Sequence, residues 1–306
     1  MLEDKVEVLE DKKEILVIVV TFNGEGDIGA CLTPFKNKRE NIHCIVIDNG
    51  STDNTVALIK SKFPFVEIIE NKNNLGFGAA NNIGIRYALA NKFDFVYLLN
   101  QDAWIEPEDI SMLAGIAENN PEYGIISPLQ VYAGGNKIDK NFSSHVSKEM
   151  KDDFLLPGNE PKQLYRIKKQ SLQAAHWLAR CDALKKVGGF SPSFFHYGED
   201  NNLCRRMEYY GYHLGIAPGI LGVHNRENRV NSFEFNFRLQ TNWWTQLASD
   251  PNLNGRQMLK LLLPKMFETF LNYPKRFFPA LFKFLCIYHK VRENRRISIT
   301  QAAPFL

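Results

Sequence analysis

The chain has 306 residues, 44% of them hydrophobic and 23% charged, a balance that fits a globular protein and excludes a disordered, collagen-like or low-complexity chain. Its 37 Lys and Arg against 34 Asp and Glu leave a net charge of +3, too even to imply a nucleic-acid partner. Five widely spaced cysteines form no C-x-x-C, so neither a disulfide framework nor a zinc site is expected, and a reducing, cytoplasmic compartment fits.

Met1–Glu14 is a charged leader without the apolar stretch of a secretory signal. Ile15–Val20 is a β-branched run that predicts a strand buried on both faces, followed by the polar turn Thr21-Phe22-Asn23-Gly24 and a helix near Gly26–Lys36. His43–Ile47 predicts a second buried strand ending in Asp48-Asn49-Gly50-Ser51-Thr52-Asp53, where Asp53 can cap a helix running to about Lys62. Val66–Ile69 reads as a short third strand, Gly78–Asn91 as a helix, and Phe95–Leu99 as a fourth strand ending at Asn100-Gln101-Asp102. Strands alternating with helices predict an α/β fold with a mainly parallel sheet.

Beyond Asp102 the expected elements are a helix over Glu106–Asn119 opened by Pro107, a strand over Gly124–Val131, long loops and edge hairpins over Tyr132–Gln170, and a strand over Ala174–Arg180. A short helix over Asp182–Val187 stops at Gly188-Gly189. Asp200–Tyr210 is an amphipathic helix stopped by Gly211, and Tyr212–Ala217 a strand. From Ser232 the chain becomes helical, aromatic and basic, with ten Lys and Arg between Arg256 and Arg296 against Glu268 and Glu293. That tail is expected either to lie on an anionic membrane surface or to form a helical subdomain packed on the core or on a second subunit as a homodimer. Its most apolar stretch, Phe277–Tyr288, is too short for the roughly 20 residues of a membrane span.

In open α/β sheets ligands bind outside the carboxyl ends of the strands. Three strands here end in polar clusters that would converge on one crevice. Gly76-Phe77-Gly78 does not complete a dinucleotide fingerprint, because Asn81 stands where the third glycine belongs; an NAD-linked oxidoreductase is therefore poorly supported. Glu199 and Asp200, after the aromatic segment Phe194–Tyr197, either complement a helix dipole or supply a general base. His224 is either structural or, with Asp102, a divalent-metal ligand.

Taken in order, the segments Val19–Asn23, Val46–Asp53, Asn73–Asn82, Leu98–Asp102, Val187–Phe190 and Phe194–Asp200, with His224, resemble the family 2 glycosyltransferases, rhamnosyltransferase-like branch. The resemblance covers Ile15 to His224 and implies a GT-A fold over about 15–230, with 231–306 as a helical basic extension. It implies an inverting, metal-dependent transfer of a sugar from a UDP- or dTDP-linked donor to a glycan or lipid-linked glycan acceptor in cell-surface polysaccharide synthesis, at the inner face of the cell membrane. Thr21, Asn23, Asp48 and Asp53 are implied to hold base and ribose, with Asn74, Gly76 and Asn81 near ribose and diphosphate and Gln101 also among the donor-nucleotide residues. Asp102, His224 and Asn100 are implied to hold Mn²⁺ or Mg²⁺, Asn100 standing where the family often has a first Asp. Asp200 is the implied base, with Glu199 as its alternative. His176, Trp177 and Arg180 are expected near the acceptor or the diphosphate, with Trp177 equally readable as a core residue. Asn202 stands where the family often has a later acid, so a non-catalytic sugar-nucleotide-binding module of the same fold is the competing reading.

Overall fold

The computed structural model describes residues 12–37, 39–155, 164–167, 171–227 and 232–306. Most of the leader, and 156–163 and 168–170 of the loop-rich middle, lie outside them. β1 (Ile15–Thr21), β2 (Ile42–Asp48), β3 (Glu67–Glu70) and β4 (Phe95–Asn100) are parallel and lie side by side in the order β3-β2-β1-β4. They are parallel because α1 (Ile28–Leu32), α2 (Thr55–Lys62) and α3 (Phe77–Ala90) connect them in turn. Successive side chains of a strand point to opposite faces. Leu16, Ile18, Ile45, Ile47, Val96 and Leu98 accordingly enter one core cluster, while Ile15, Val17, Val19, Val46, Tyr97 and Leu99 enter another. α3 lies on the first face and α1 and α2 on the second.

The rest of the sheet departs from the parallel expectation. α4 (Pro107–Asn119), with Pro107 in its first turn, leads to β6 (Tyr123–Val131). β8 (His176–Arg180) then inserts between β4 and β6, antiparallel to both, and β9 (His213–His224) runs parallel to β6. Two short strands, β5 (Ala103–Trp104) and β7 (Tyr165–Arg166), pair antiparallel with β9. A strand buried on both faces carries no periodic signal of its direction, so the apolar run at 174–180 could not reveal it. The middle region is also more ordered than a loop: it holds a 3₁₀ turn over Phe142–His145 and α5 (Lys148–Leu155). Phe142 and Met150 from these turns fill the first core face.

α6 (Cys181–Val187) and α7 (Glu199–Tyr209) complete that face through Leu184, Leu203 and Met207. The tail forms α8 (Phe233–Ser249), capped by the Ser232 side chain, then α9 (Gly255–Asn272), opened by an Asn254/Gln257 capping box, and α10 (Pro274–Thr300). These three helices share a small core around Trp244, Leu247, Met258, Leu262, Phe284 and Val291. They are tied to α7 by the buried Arg205–Asp250 ion pair at 3.2 Å and by Asn202 Nδ2 donating to Ser249 Oγ. The chain then returns to the first layer, where the Gly189 N–H donates to Pro304 O and Leu306 packs on the core. The Gly188-Gly189 pair is explained here: a Cβ on Gly188 would sit 2.2 Å from Pro304 O.

Candidate active site

Register brings the polar strand ends into one row. Thr21 pairs with Asp48, Val20 with Asn100, and Asp48 with Glu70. The short β5 strand then folds back so that Ala103 pairs with His224, and the Asn225 N–H donates to Asp102 O. Two residues distant in sequence thereby meet: His224 Nε2 lies 3.4 Å from Asp102 Oδ1.

The β1 and β2 ends form a cross-linked loop pair. Gln101 Oε1 accepts from Thr21 Oγ1 and from the Phe22 N–H, each at 2.8 Å. Asn23, held at φ 48, accepts from the Thr52 N–H, and its own N–H donates to Ser51 Oγ. Asp48 is 3% exposed; its Oδ2 takes the Gly50 and Ser51 N–H groups, while its buried Oδ1 has no partner in the protein. Asn100 Oδ1 is likewise buried and unpartnered. Buried acceptors are normally satisfied, so these two atoms mark places where a ligand's donors or a cation complete the site.

Several expected ligand residues instead build the site. Thr21 is fully buried and acts through Gln101. Asp53 spends one carboxylate oxygen on the Thr55 backbone and hydroxyl and the other on the Glu25 N–H. The Thr55 hydroxyl, with those backbone donors, holds the Asp53 carboxyl below its usual range. Asn81 is 1% exposed and turns back to donate to Phe77 O on its own helix. Asn74 Oδ1 accepts from Asn49 Nδ2 and from the Gly76 N–H. Gly76 has φ +84, and a Cβ there would sit 2.2 Å from Phe195 O; the backbone it admits is the protein's own rather than a ligand's. Asn49, not singled out as a site residue from the sequence, is the hub of this loop, also accepting from the Leu75 N–H.

The expected acceptor residues are corrected by their positions. Trp177 is fully buried and stacked on Phe190. His176 is fully buried; its Nε2 donates to Val223 O and its Nδ1 accepts from the Tyr97 hydroxyl, both at 2.9 Å. Burial pushes its pKa down to about 3, so it is a neutral strut between β4 and β9. Arg180 pairs with Phe95 in the sheet, at the end opposite the polar row, and binds Asp182 and Ala117 O. A buried strand shows its residue types in the sequence but not which of its ends faces the crevice.

Asp102 and His224 have the chemistry of a cation site. Burial would raise the Asp102 carboxyl, but His224, with the charge of Arg226, holds it below the usual range. On the other ring edge, His224 Nδ1 faces Asp139 Oδ2 at 3.7 Å. Asp139 is fully buried, and Arg226 grips it through Nε at 2.6 Å and Nη2 at 2.9 Å. A carboxylate behind an imidazole is the usual support of a metal-binding histidine. Among the described residues no group of three or more His, Cys, Asp or Glu is arranged around one ion, so an ion here would need further ligands from substrate and water. The residues fit a divalent cation, which Asp102 and His224 would hold and which would supply positive charge beside a bound oxyanion. Asp139 was missed because nothing in its local sequence distinguishes it from a turn residue.

Glu199 and Asp200 open α7 after Tyr197 and Gly198, both in left-handed backbone. Glu199 is 4% exposed with Oε2 unpartnered, and Asp200 is half-buried. Burial raises both carboxyls, and the neighbouring Asp200 charge pushes Glu199 further; backbone N–H donors and Arg226 oppose the rise at Asp200. The pair thus holds its protons to higher pH than ordinary carboxylates, because both groups are buried side by side. Asn202, 2% exposed, accepts from Arg206 Nε and donates to Ser249; here this position is an anchor for α8.

Parallel strands with polar side chains at their carboxyl edge, beside a paired acid and histidine, have the arrangement of a group-transfer site. Residues 16–188 match the family described as glycosyl transferase family 2, and the chain belongs to that family. It is 25% identical over 232 residues to the low-salt glycan biosynthesis hexosyltransferase Agl10 of Haloferax volcanii, covering 74% of this chain and 72% of that protein. It is 26% identical over 207 residues to an N-acetylglucosaminyl-diphospho-decaprenol L-rhamnosyltransferase of Mycobacterium tuberculosis, covering 60% of this chain and 67% of that one. Among solved structures, TarS (1-349) of S. aureus superposes with TM-score 0.57 at 14% identity, covering 94% of this chain and 90% of that one. The mannosyltransferase PcManGT of Pyrobaculum calidifontis, solved with GDP-Man and Mn²⁺, gives 0.55 at 15% identity, over 94% and 74%. The protein is a glycosyltransferase of the rhamnosyltransferase-like branch, with the GT-A fold.

Proposed function

We propose that the protein moves a sugar, with inversion, from a nucleotide diphosphate donor, UDP- or dTDP-linked, to a hydroxyl of a glycan or lipid-linked glycan. The observation that carries this reading is the 3.4 Å approach of His224 Nε2 to Asp102 Oδ1 beside the unpartnered Asn100 Oδ1 and Asp48 Oδ1. Asp48 accepts from a base N–H or a ribose hydroxyl, and Asn23, Asn74 and Gln101 shape the loops around it. Asp102, His224 and Asn100 would hold Mn²⁺ or Mg²⁺, which when bound supplies positive charge against the leaving diphosphate. Asp200 takes the proton of the attacking hydroxyl, and one displacement from the face opposite the diphosphate inverts the anomeric carbon. Glu199, whose carboxyl burial and the Asp200 charge also raise, stands beside it in sequence. The PcManGT complex with GDP-Man and Mn²⁺ and a TarS complex with UDP-GlcNAc support a metal-assisted nucleotide-sugar site.

We further place the protein at an anionic membrane surface. No helix among the described residues is long and apolar enough to cross a membrane. Yet Leu259, Leu263, Phe267 and Leu271 recur every four residues on α9, and Phe278, Phe282 and Leu285 follow on α10, all between 49% and 71% exposed. Lysines and arginines are interspersed with them along both helices. An apolar stripe with a basic border suits insertion at an anionic interface.

The test of the catalytic reading is a thermal-shift panel of UDP, dTDP and GDP with and without Mn²⁺, alongside sugar-nucleotide turnover. We expect a metal-dependent shift with UDP or dTDP, lost together with turnover in Asp102→Ala at little cost in melting temperature. Full activity of that variant would overturn the site.

A further inference from the structure

Of the tail helices, α8 is the one whose side chains bond the segment carrying Glu199 and Asp200. Asn242, Gln246 and Ser249 stand four and then three positions apart on it, so they share one face of the helix. Asn242 Nδ2 donates to His196 O at 3.1 Å and to Tyr197 O at 2.7 Å. Gln246 Oε1 accepts from Asn201 Nδ2 at 3.2 Å, and its amide lies against Gly198. Ser249 Oγ accepts from Asn202 Nδ2 at 3.0 Å. The stripe therefore grips the chain immediately before the two carboxylates and immediately after them. Its bonds go to their neighbours rather than to the carboxyl groups themselves.

The backbone at this point needs such a grip. Tyr197 has φ 69 and Gly198 φ 101. For a residue with a bulky side chain the left-handed region is sparsely populated, and it persists only where the surroundings over-determine it. Two successive carbonyls accepting from one amide nitrogen supply that constraint at Tyr197. The turn they fix delivers Glu199 and Asp200 into the first turn of α7. A relaxed Tyr197 would re-aim that turn and the carboxyl that meets the attacking hydroxyl. Misplacing a reacting group by about 1 Å costs on the order of 10²-fold in rate. Asparagine is also a poor choice for a helix interior on propensity alone, so its place in the middle of α8 calls for a reason outside the helix.

We propose that Asn242, supported by Gln246, is a positioning residue for Asp200. It acts through the Tyr197–Gly198 turn to fix the direction in which the carboxyl meets the acceptor hydroxyl, and so gives the helical tail a part in the transfer step. This rests on the reading of Asp200 as the base.

The test is a double-mutant cycle on the full chain. Nucleotide release from UDP-glucose, UDP-N-acetylglucosamine and dTDP-rhamnose is measured with Mn²⁺ and with water as acceptor, well below the melting temperature of every variant. The donor that the wild type turns over fastest is carried forward. Asn242→Leu should lower kcat about tenfold or more, with the donor KM within about twofold and the UDP–Mn²⁺ thermal shift unchanged. In an Asp200→Asn background the same substitution should lower kcat less than about twofold, because the group through which Asn242 acts is already gone. Gln246→Leu should repeat the pattern with a smaller loss. Thr241→Val removes a hydroxyl bonded to the backbone of α8 itself and should leave kcat within about twofold. Equal losses in the two backgrounds, or a loss expressed as a raised donor KM, would make Asn242 a general structural support and overturn the proposal. Hydrogen exchange gives a readout without turnover: residues 194–202 should exchange about tenfold faster or more in Asn242→Leu, while 21–24 and 48–53 exchange as in the wild type. Unchanged exchange over 194–202 would also overturn it. An Asp200→Asn enzyme as active as the wild type would instead remove the base assignment on which the proposal rests, whatever the exchange shows.

Discussion

Asp139 stands behind His224 as Asp102 stands in front of it: Asp139 Oδ2 lies 3.7 Å from His224 Nδ1, and Arg226 locks the carboxylate in place. The imidazole lies between two acids, one of which has no surface at all. Replacing Asp139 by Asn keeps the shape and removes the charge that orients the ring. The Mn²⁺ concentration giving half-maximal thermal shift with UDP should rise about 10–100-fold. Turnover at saturating Mn²⁺ should recover much more than it does in Asp102→Ala. An unchanged Mn²⁺ requirement would show that Asp139 serves only its loop.

The two raised carboxyls predict opposite pH trends for activity and stability. Asp200 must be ionised to accept a proton, and burial holds its pKa above the ordinary carboxylate. Turnover should therefore climb with pH on an acid limb lying well above ~4, the usual aspartate value. Glu199 is protonated more readily in the native state than in the unfolded one, so the native protein binds the extra proton between those two pKa values and loses stability as pH rises through that window. Glu199→Gln removes this loss. Its melting temperature relative to wild type should be higher at pH 8 than at pH 5; a gap independent of pH would contradict the assignment.

Gly76 combines φ +84 and ψ 163 with a 2.2 Å approach of Phe195 O to any Cβ. That backbone region is open almost only to glycine. Gly76→Ala should cost about 1–3 kcal/mol or more in urea denaturation and should also lower activity, because the displaced segment leads to Glu199. Gly29, with open space around its Cβ and no positive φ, is the matched control; Gly29→Ala in α1 should be neutral or slightly stabilising.

The stripe on α9 and α10 predicts sedimentation with phosphatidylglycerol vesicles and not with phosphatidylcholine, weakened by 0.5 M salt. Phe267→Asp/Phe282→Asp should release the protein while leaving its donor-dependent thermal shift intact. A dimer in ultracentrifugation that the same pair of substitutions abolishes would assign the stripe to a second copy of the chain.

How much of this was readable beforehand varies by element. The β-branched runs at 15–20 and 95–99 declared themselves, because a strand covered on both faces must be apolar throughout, and the polar triplets at their ends marked the crevice edge. Composition, the absence of a membrane-spanning run, and the Asp102, His224 and Glu199-Asp200 signals also came from residue order alone. What residue order could not convey was direction and partnership. The antiparallel insertion of β8 put Trp177 and His176 in the core and Arg180 at the far edge, whereas the same residues on a parallel strand would have met the crevice differently. Asp139 and Asn49 acquire their roles from partners many residues away, and Gly76 is shaped by the protein's own Phe195 rather than by a ligand. Local sequence encodes burial and periodicity, which are short-range properties. The pairing of His224 with Asp102 comes from strand register, which exists only once the chain is folded.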